Sequence, residues 1–204
     1  MLDFPCGIRP SRIVGGTEVL PNSIPWQVAL VPLGQNHPFC GGTLIGSRHV
    51  LSAAHCTEAV SNFNVVVGEH NLTNENDGAI YTVESFYQHP SYDESAYSYD
   101  FVIIKLSERI TLGDTAIHAC LPTEELDDDY LFGKTLRVSG WGRLDYGGSP
   151  PMVLNQVDVP FVSNDVCKEK YVDSGWTIDE SMMCAGNIEN GSVGACQGDS
   201  GGKK

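Results

Sequence analysis

Short apolar stretches recur along this chain, each closed by turn-forming residues. "WQVALV" (26–31), "FNVVVGEH" (63–70), "DFVIIKL" (100–106) and "TLRVSGWG" (135–142) have the length and composition of strands. In "NQVDVPFVS" (155–163), Val157, Val159 and Phe161 alternate with Gln156, Asp158 and Pro160. A period of two predicts that the apolar set faces inward. "HPSY", "YGGSPP" and "ENGS" have loop composition. Only "SNDVCKEKY" (163–171) opens like a helix, with Ser163 or Asn164 as its cap. Many short strands with so little helix predict an all-β barrel or sandwich. The acidic, turn-rich stretch 122–134 either joins two halves or is a solvated loop of one domain.

The chain has 204 residues, enough for one large domain or two small ones, and 41% hydrophobic content, enough to bury a core. No apolar run reaches the length of a membrane span, so no membrane role is expected. A formal net charge of -14 argues against nucleic acid as a partner. The seven cysteines are scattered without a close Cys-x-x-Cys pair, which speaks against a zinc knuckle and for an oxidising, extracellular setting. Their count is odd, so at least one lacks a partner within the chain. The sequons at Asn71 and Asn190 fit secretion. Residues 1–12, "MLDFPCGIRPSR", do not form a signal peptide, although a secretory reading predicts one.

Three stretches carry candidate chemistry. In "GDSGG", Ser200 has small neighbours that permit a sharp turn and leave backbone N–H groups free to meet a substrate. A serine hydroxyl becomes a useful nucleophile only when a base takes its proton. An ordinary glycine-rich turn also explains the pentapeptide. So does the nucleophile elbow of α/β-hydrolases, but that fold needs its histidine after the serine. All six histidines here precede Ser200, and no βαβ rhythm is present. In "LSAAHC" (51–56), His55 sits among small residues beside Cys56, downstream of "CGGTLI" (40–45). His37, His49, His70, His89 and His118 have no such setting and are assigned structural or solvated roles. Asp100 directly precedes an apolar strand. It is either a strand-end cap or a buried acid that holds an imidazole in one tautomer.

"IVGG" (13–16), "AAHC", "DFVIIKL", "GWG" (140–142) and "GDSGG" occur in this order. Together they resemble the trypsin/chymotrypsin-like serine protease family in its zymogen form, from Cys6 to Gly202. The resemblance implies an all-β fold of two antiparallel β-barrels. It implies a pro-segment at 1–12 and a peptidase domain at 13–204, with a first barrel at about 26–118 and a partial second barrel at about 133–204. The family continues beyond the nucleophile loop, so the second barrel is expected to be incomplete and this chain, as it stands, inactive.

The resemblance also implies roles. His55 would be the general base, Asp100 its orienting acid, Ser200 the nucleophile, and the N–H groups of Gly198 and Ser200 the oxyanion hole. Cleavage after Arg12 would free the amino group of Ile13 to pair with Asp199. Disulfides would join Cys6 to Cys120, Cys40 to Cys56 and Cys167 to Cys184, leaving Cys196 unpaired. Gly194 would form the floor of the primary specificity pocket; a neutral floor implies a broad or apolar preference. Glu69 and Asn71 fall where trypsins bind calcium, although the far acid of that loop aligns with Ala79 or a residue beside it. No cofactor is required on this reading; calcium is optional. The expected partners are protein or peptide substrates and an activating protease. The expected form is a secreted, extracellular monomer. A non-catalytic protease homologue and an inactive truncated fragment are the alternatives; retention of His55, Asp100 and Ser200 favours the enzyme.

Overall fold

A computed structural model describes residues 6–7, 17–74, 77–123, 126–144 and 148–187. Within them lie strands β1 (Thr17–Glu18), β2 (Gln27–Pro32), β3 (Cys40–Gly46), β4 (His49–Ser52), β5 (Phe63–Val67), β6 (Ala79–Gln88) and β7 (Val102–Leu106). Strands β8 (Thr135–Gly140), β9 (Asn155–Val162) and β10 (Cys184–Ala185) follow. The helices are α1 (His55–Ala59), α2 (Asp128–Leu131) and α3 (Asn164–Tyr171). The expected all-β class is the observed one.

Strands β2-β3-β4-β7-β6-β5 close into a barrel in that order, every pairing antiparallel. Closure removes sheet edges and turns alternate side chains into a shared interior. Val28, Leu30, Leu44, Val50, Val65, Val102, Ile104 and Leu106 fill it without solvent exposure. The filling is tight enough to require a glycine. A Cβ on Gly42 would lie 2.7 Å from Val50 Cγ1 and 2.9 Å from Val28 Cγ2, inside any tolerable contact distance. Strand β5 stops at Gly68, whose φ of 74° is open to glycine at little cost. The "FNVVVGEH" stretch is therefore a strand only over its first five residues.

The second half is a sheet. β8 runs antiparallel along β9, and the short β1 and β10 pair with the two ends of β9. The expected alternation in β9 holds at Val159, which is buried, while Val157 and Phe161 are half-buried. Gln156 departs from it, being buried together with Asn155. Those two residues pair with β8 on one side and with β1 on the other, so neither edge of that end of β9 is free. Helix α3 begins as expected, with the Ser163 hydroxyl accepting from the Val166 N–H.

The halves meet along a seam of backbone hydrogen bonds. Val19 N–H donates to Leu154 O, Leu154 N–H to His70 O, and Leu72 N–H to Met152 O. The Trp141 indole also donates to His70 O at 3.2 Å. His70 is buried there with Nε2 3.0 Å from Glu18 Oε1, a structural role. Disulfides Cys6–Cys120, Cys40–Cys56 and Cys167–Cys184 have Cα separations of 5.1, 6.3 and 6.3 Å.

Candidate active site

His55 opens α1, directly after the small buried residues Ala53 and Ala54. Ala54 supplies no capping side chain. Asp100 does the capping from just before the neighbouring strand β7, which pairs with β4: its Oδ1 accepts the His55 backbone N–H at 2.9 Å. Its other oxygen, Oδ2, lies 2.6 Å from His55 Nδ1. One carboxylate thus fixes both the backbone and the ring of the same histidine. An ionised carboxylate can only accept, so Nδ1 carries a proton, and in the neutral ring the lone pair is left on Nε2. Partial burial pushes the Asp100 carboxyl up, but hydrogen bonds from the His55 ring, the His55 backbone and the Ala54 backbone outweigh it. The net result holds Asp100 below its ordinary value, ionised at neutral pH.

The turn carrying His55 is braced on three sides. Cys56 is bonded to Cys40 at the start of β3. The Thr57 hydroxyl donates to Ala54 O at 2.8 Å, and Gln88 at the end of β6 donates to Thr57 Oγ1 at 3.1 Å. Inside the barrel, the Ser52 hydroxyl donates to Gly41 O at 2.8 Å. The Cys40 and Cys56 sulfurs lie close to the imidazole, but the disulfide leaves them no thiolate to offer a metal.

The backbone leading to Asp100 is strained. Tyr97 and Tyr99 have φ values of 54° and 50°. The left-handed region costs a side-chain-bearing residue about 1–2 kcal/mol, and such residues persist where their surroundings over-determine them. Tyr97 meets the His55 ring edge-on at 5.8 Å, and Trp176 meets Tyr97 at 5.8 Å. These aromatics, with His55, Asp100, Leu121 and Met183, line a cleft of about 610 Å³. The sequence reasoning missed Tyr97, Tyr99 and Trp176; proximity of the two tyrosines to Asp100 was the available signal.

The expected calcium loop holds Glu69 and Asn71 in the following setting. Asn71 Oδ1 already accepts from the Thr73 N–H and hydroxyl, and its backbone O accepts from Asn74. Ala79 pairs with Val67 and offers no side-chain oxygen. Glu69 is pushed up by burial and then by the charge of Asp77, whose Oδ2 accepts from the Asn71 N–H at 2.7 Å. Glu69 and Asp77 are thus the side-chain carboxylates among the described residues of this loop; calcium takes six to eight oxygens, drawn also from backbone carbonyls and water. Arg12, Ile13, Gly194, Cys196, Gly198, Asp199 and Ser200 lie outside the described residues, as does the Asn190 sequon.

A β-built chain whose first barrel presents a carboxylate-paired imidazole at a cleft is put together as the trypsin/chymotrypsin-like serine proteases are. The family described as Trypsin matches residues 13–202. Mouse chymotrypsin-C is 40% identical over 200 residues, covering 94% of this chain and 71% of that protein. Trypsin 5G1 of Aedes aegypti is 38% identical over 192 residues, covering 94% of this chain and 70% of that protein. Serine proteinase stubble of Drosophila melanogaster is 36% identical over 214 residues, covering 97% of this chain and 27% of that protein. The chain belongs to the trypsin family of serine proteases.

Proposed function

We propose that this protein is a secreted serine endopeptidase, made as a precursor, that cleaves peptide bonds with His55, Asp100 and Ser200. The observation that carries the reading is the double grip of Asp100 on His55, through Nδ1 at 2.6 Å and the backbone N–H at 2.9 Å. That grip leaves Nε2 as the base. It would take the proton of the Ser200 hydroxyl as the oxygen attacks the substrate carbonyl. The imidazolium formed would be stabilised by the Asp100 carboxylate and would protonate the leaving amine. Water would then hydrolyse the acyl-enzyme by the same steps in reverse. The N–H groups of Gly198 and Ser200 would bind the oxyanion; one such donor is worth about 3 kcal/mol in the transition state.

Residues 1–12 act as a pro-segment ahead of a peptidase domain at 13–204. Cleavage after Arg12 releases the Ile13 amine to pair with Asp199, and the Cys6–Cys120 bond keeps the cut segment attached. The activating enzyme is a protease that cuts after arginine. Gly194 gives the specificity pocket a neutral floor, so the preferred residue before the scissile bond is uncharged. The three disulfides support an oxidising, extracellular location. The working form is a monomer, and no step of the mechanism uses calcium.

The test is labelling by an organophosphonate directed at active-site serines after cleavage at Arg12. Label at Ser200 in the cleaved protein, absent in His55→Ala, is the expected result. Undiminished peptide hydrolysis by His55→Ala would overturn the assignment.

A further inference from the structure

The carboxylate that grips His55 sits on a backbone segment that does not hold its own shape. Tyr99, immediately before Asp100, is in the left-handed region, and so is Tyr97. A tyrosine remains there only where other contacts enforce it. The hydrogen bonds to the Tyr99 N–H and hydroxyl come from the second half of the chain. Ser181 Oγ accepts the Tyr99 backbone N–H at 2.7 Å. The same hydroxyl donates to Asp179 Oδ1 at 2.6 Å, so its one proton is committed and its lone pair faces Tyr99. Asp179 Oδ1 also accepts the Ser181 N–H at 2.7 Å, and its Oδ2 accepts from the Ser98 hydroxyl. Asn164 at the start of α3 fixes the far side, donating to Asp179 O at 3.2 Å and Met182 O at 2.9 Å. Tyr99 is held at two further points: its ring stacks on His89 at 4.9 Å, and its hydroxyl donates to Glu180 at 2.8 Å.

We propose that Ser181 and Asp179 are positioning residues for Asp100, a clasp from the second half of the chain that fixes the strained segment carrying the carboxylate. This rests on the reading of Asp100 and His55 as the working pair. Ser181 lies at the wall of the cleft that holds His55 and Asp100, but its hydrogen bonds run to Tyr99 and Asp179, and the clasp acts on Asp100 through Ser98 and Tyr99. Releasing it frees Tyr99 to relax toward ordinary φ values, which rotates the following peptide and draws Asp100 off the imidazole. The imidazole then loses both its tautomer control and the charge that stabilises its protonated form.

The experiment compares Ser181→Ala and the conservative Ser181→Thr with the unmodified full protein. Proton NMR reads the His55 Nδ1–H resonance, and the pH profile of kcat/KM reads the imidazole titration. Ser181→Ala should weaken or shift that resonance, lower the midpoint of the acid limb and reduce kcat about ten- to a hundredfold, as expected for a misplaced group. KM should change much less than kcat, because the substitution removes a single hydroxyl whose hydrogen bonds point to Tyr99 and Asp179. Ser181→Thr, which keeps the hydroxyl, should restore all three. A clasp that merely joins the two halves would alter the melting temperature and leave the resonance and the midpoint unchanged; that result overturns the proposal. If Ser181→Ala does not fold, Ser98→Ala removes a more distant link and gives a smaller effect of the same direction, again judged on the resonance. The NMR readout needs no turnover. Residual activity in His55→Ala would sink the proposed mechanism, whereas an undisturbed resonance in Ser181→Ala would sink the clasp.

Discussion

The closed barrel and the second sheet contribute differently to the same cleft. The barrel provides His55 and Asp100 and pairs them within itself, joining α1 to the residues just before β7. Its strands have no free edge and its interior tolerates no Cβ on Gly42. The second sheet is centred on β8 and β9, with two-residue strands on the ends of β9. Its contribution to the pair is made at a distance, through the loop that grips Ser98 and Tyr99. The contrast suggests a division of labour. On the proposed mechanism the barrel makes the base, and on the proposed clasp the second half sets the accuracy with which its carboxylate is held.

The sharpest way to break this contrast is Asp100→Asn. If the barrel alone makes the base, this substitution should lower kcat/KM by about four orders of magnitude, the size of loss seen when a triad carboxylate becomes an amide. A loss of tenfold or less in steady-state assays would mean that the barrel's pair is not the base. Stability should respond in a defined window. The folded state holds the Asp100 carboxyl below its ordinary value of 3.8. Its contribution is therefore present above that value and lost as pH falls through the lower folded value. Asp100→Asn should remove this acid-linked part of the unfolding curve.

A smaller effect compares packing in the two halves. Val50 is at 0% and Val159 at 1% exposure, one in the closed barrel and one in β9. Truncation to alanine removes the same atoms from each, so a difference reports how far the surroundings collapse. Val50→Ala should cost about 2–3 kcal/mol, near the full value of a buried valine side chain. Val159→Ala should cost about 1 kcal/mol, because a sheet bordered by two-residue strands can relax. Equal costs in chemical denaturation would erase the distinction.

The smallest effect lies at the barrel's rim. Glu69 is raised by burial first and by Asp77 second, so its charged form disfavours the folded state. A raised carboxyl contributes stability at low pH that is lost as pH rises through the folded value. Glu69→Gln should therefore raise the melting temperature slightly at neutral pH, and the gain should vanish below the ordinary carboxyl value of 4.5. A lower melting temperature at neutral pH would point to a cation held by Glu69.

The strands that could be read from sequence are those whose apolar residues are buried on one face or both. β2, β5, β7, β8 and β9 belong to this set. β3 was not readable because Gly41 and Gly42 interrupt its apolar run, yet the barrel interior leaves room for nothing larger at Gly42. β6 was hidden for the opposite reason: its ten residues include no fully buried one, so burial imposes no clear pattern. His55 and Asp100 were legible because each sits in a short motif. Ser98, Asp179 and Ser181 were not. Serine and aspartate suit any loop, and only the folded chain brings positions 98 and 181 together. The left-handed tyrosines were equally hidden, since their own preference runs against the conformation they adopt.

The Cys6–Cys120 disulfide has a consequence for covalent topology. With a sequence separation of 114, it closes a macrocycle that contains every strand of the closed barrel, both partners of the His55–Asp100 pair and a smaller ring made by Cys40 and Cys56. A linear chain is severed by one peptide cut, but a ring is only opened. Any single cut between Cys6 and Cys120 therefore leaves one covalent molecule, its two ends joined through the disulfide. Fragments would separate only after a second cut or on reduction of the bond.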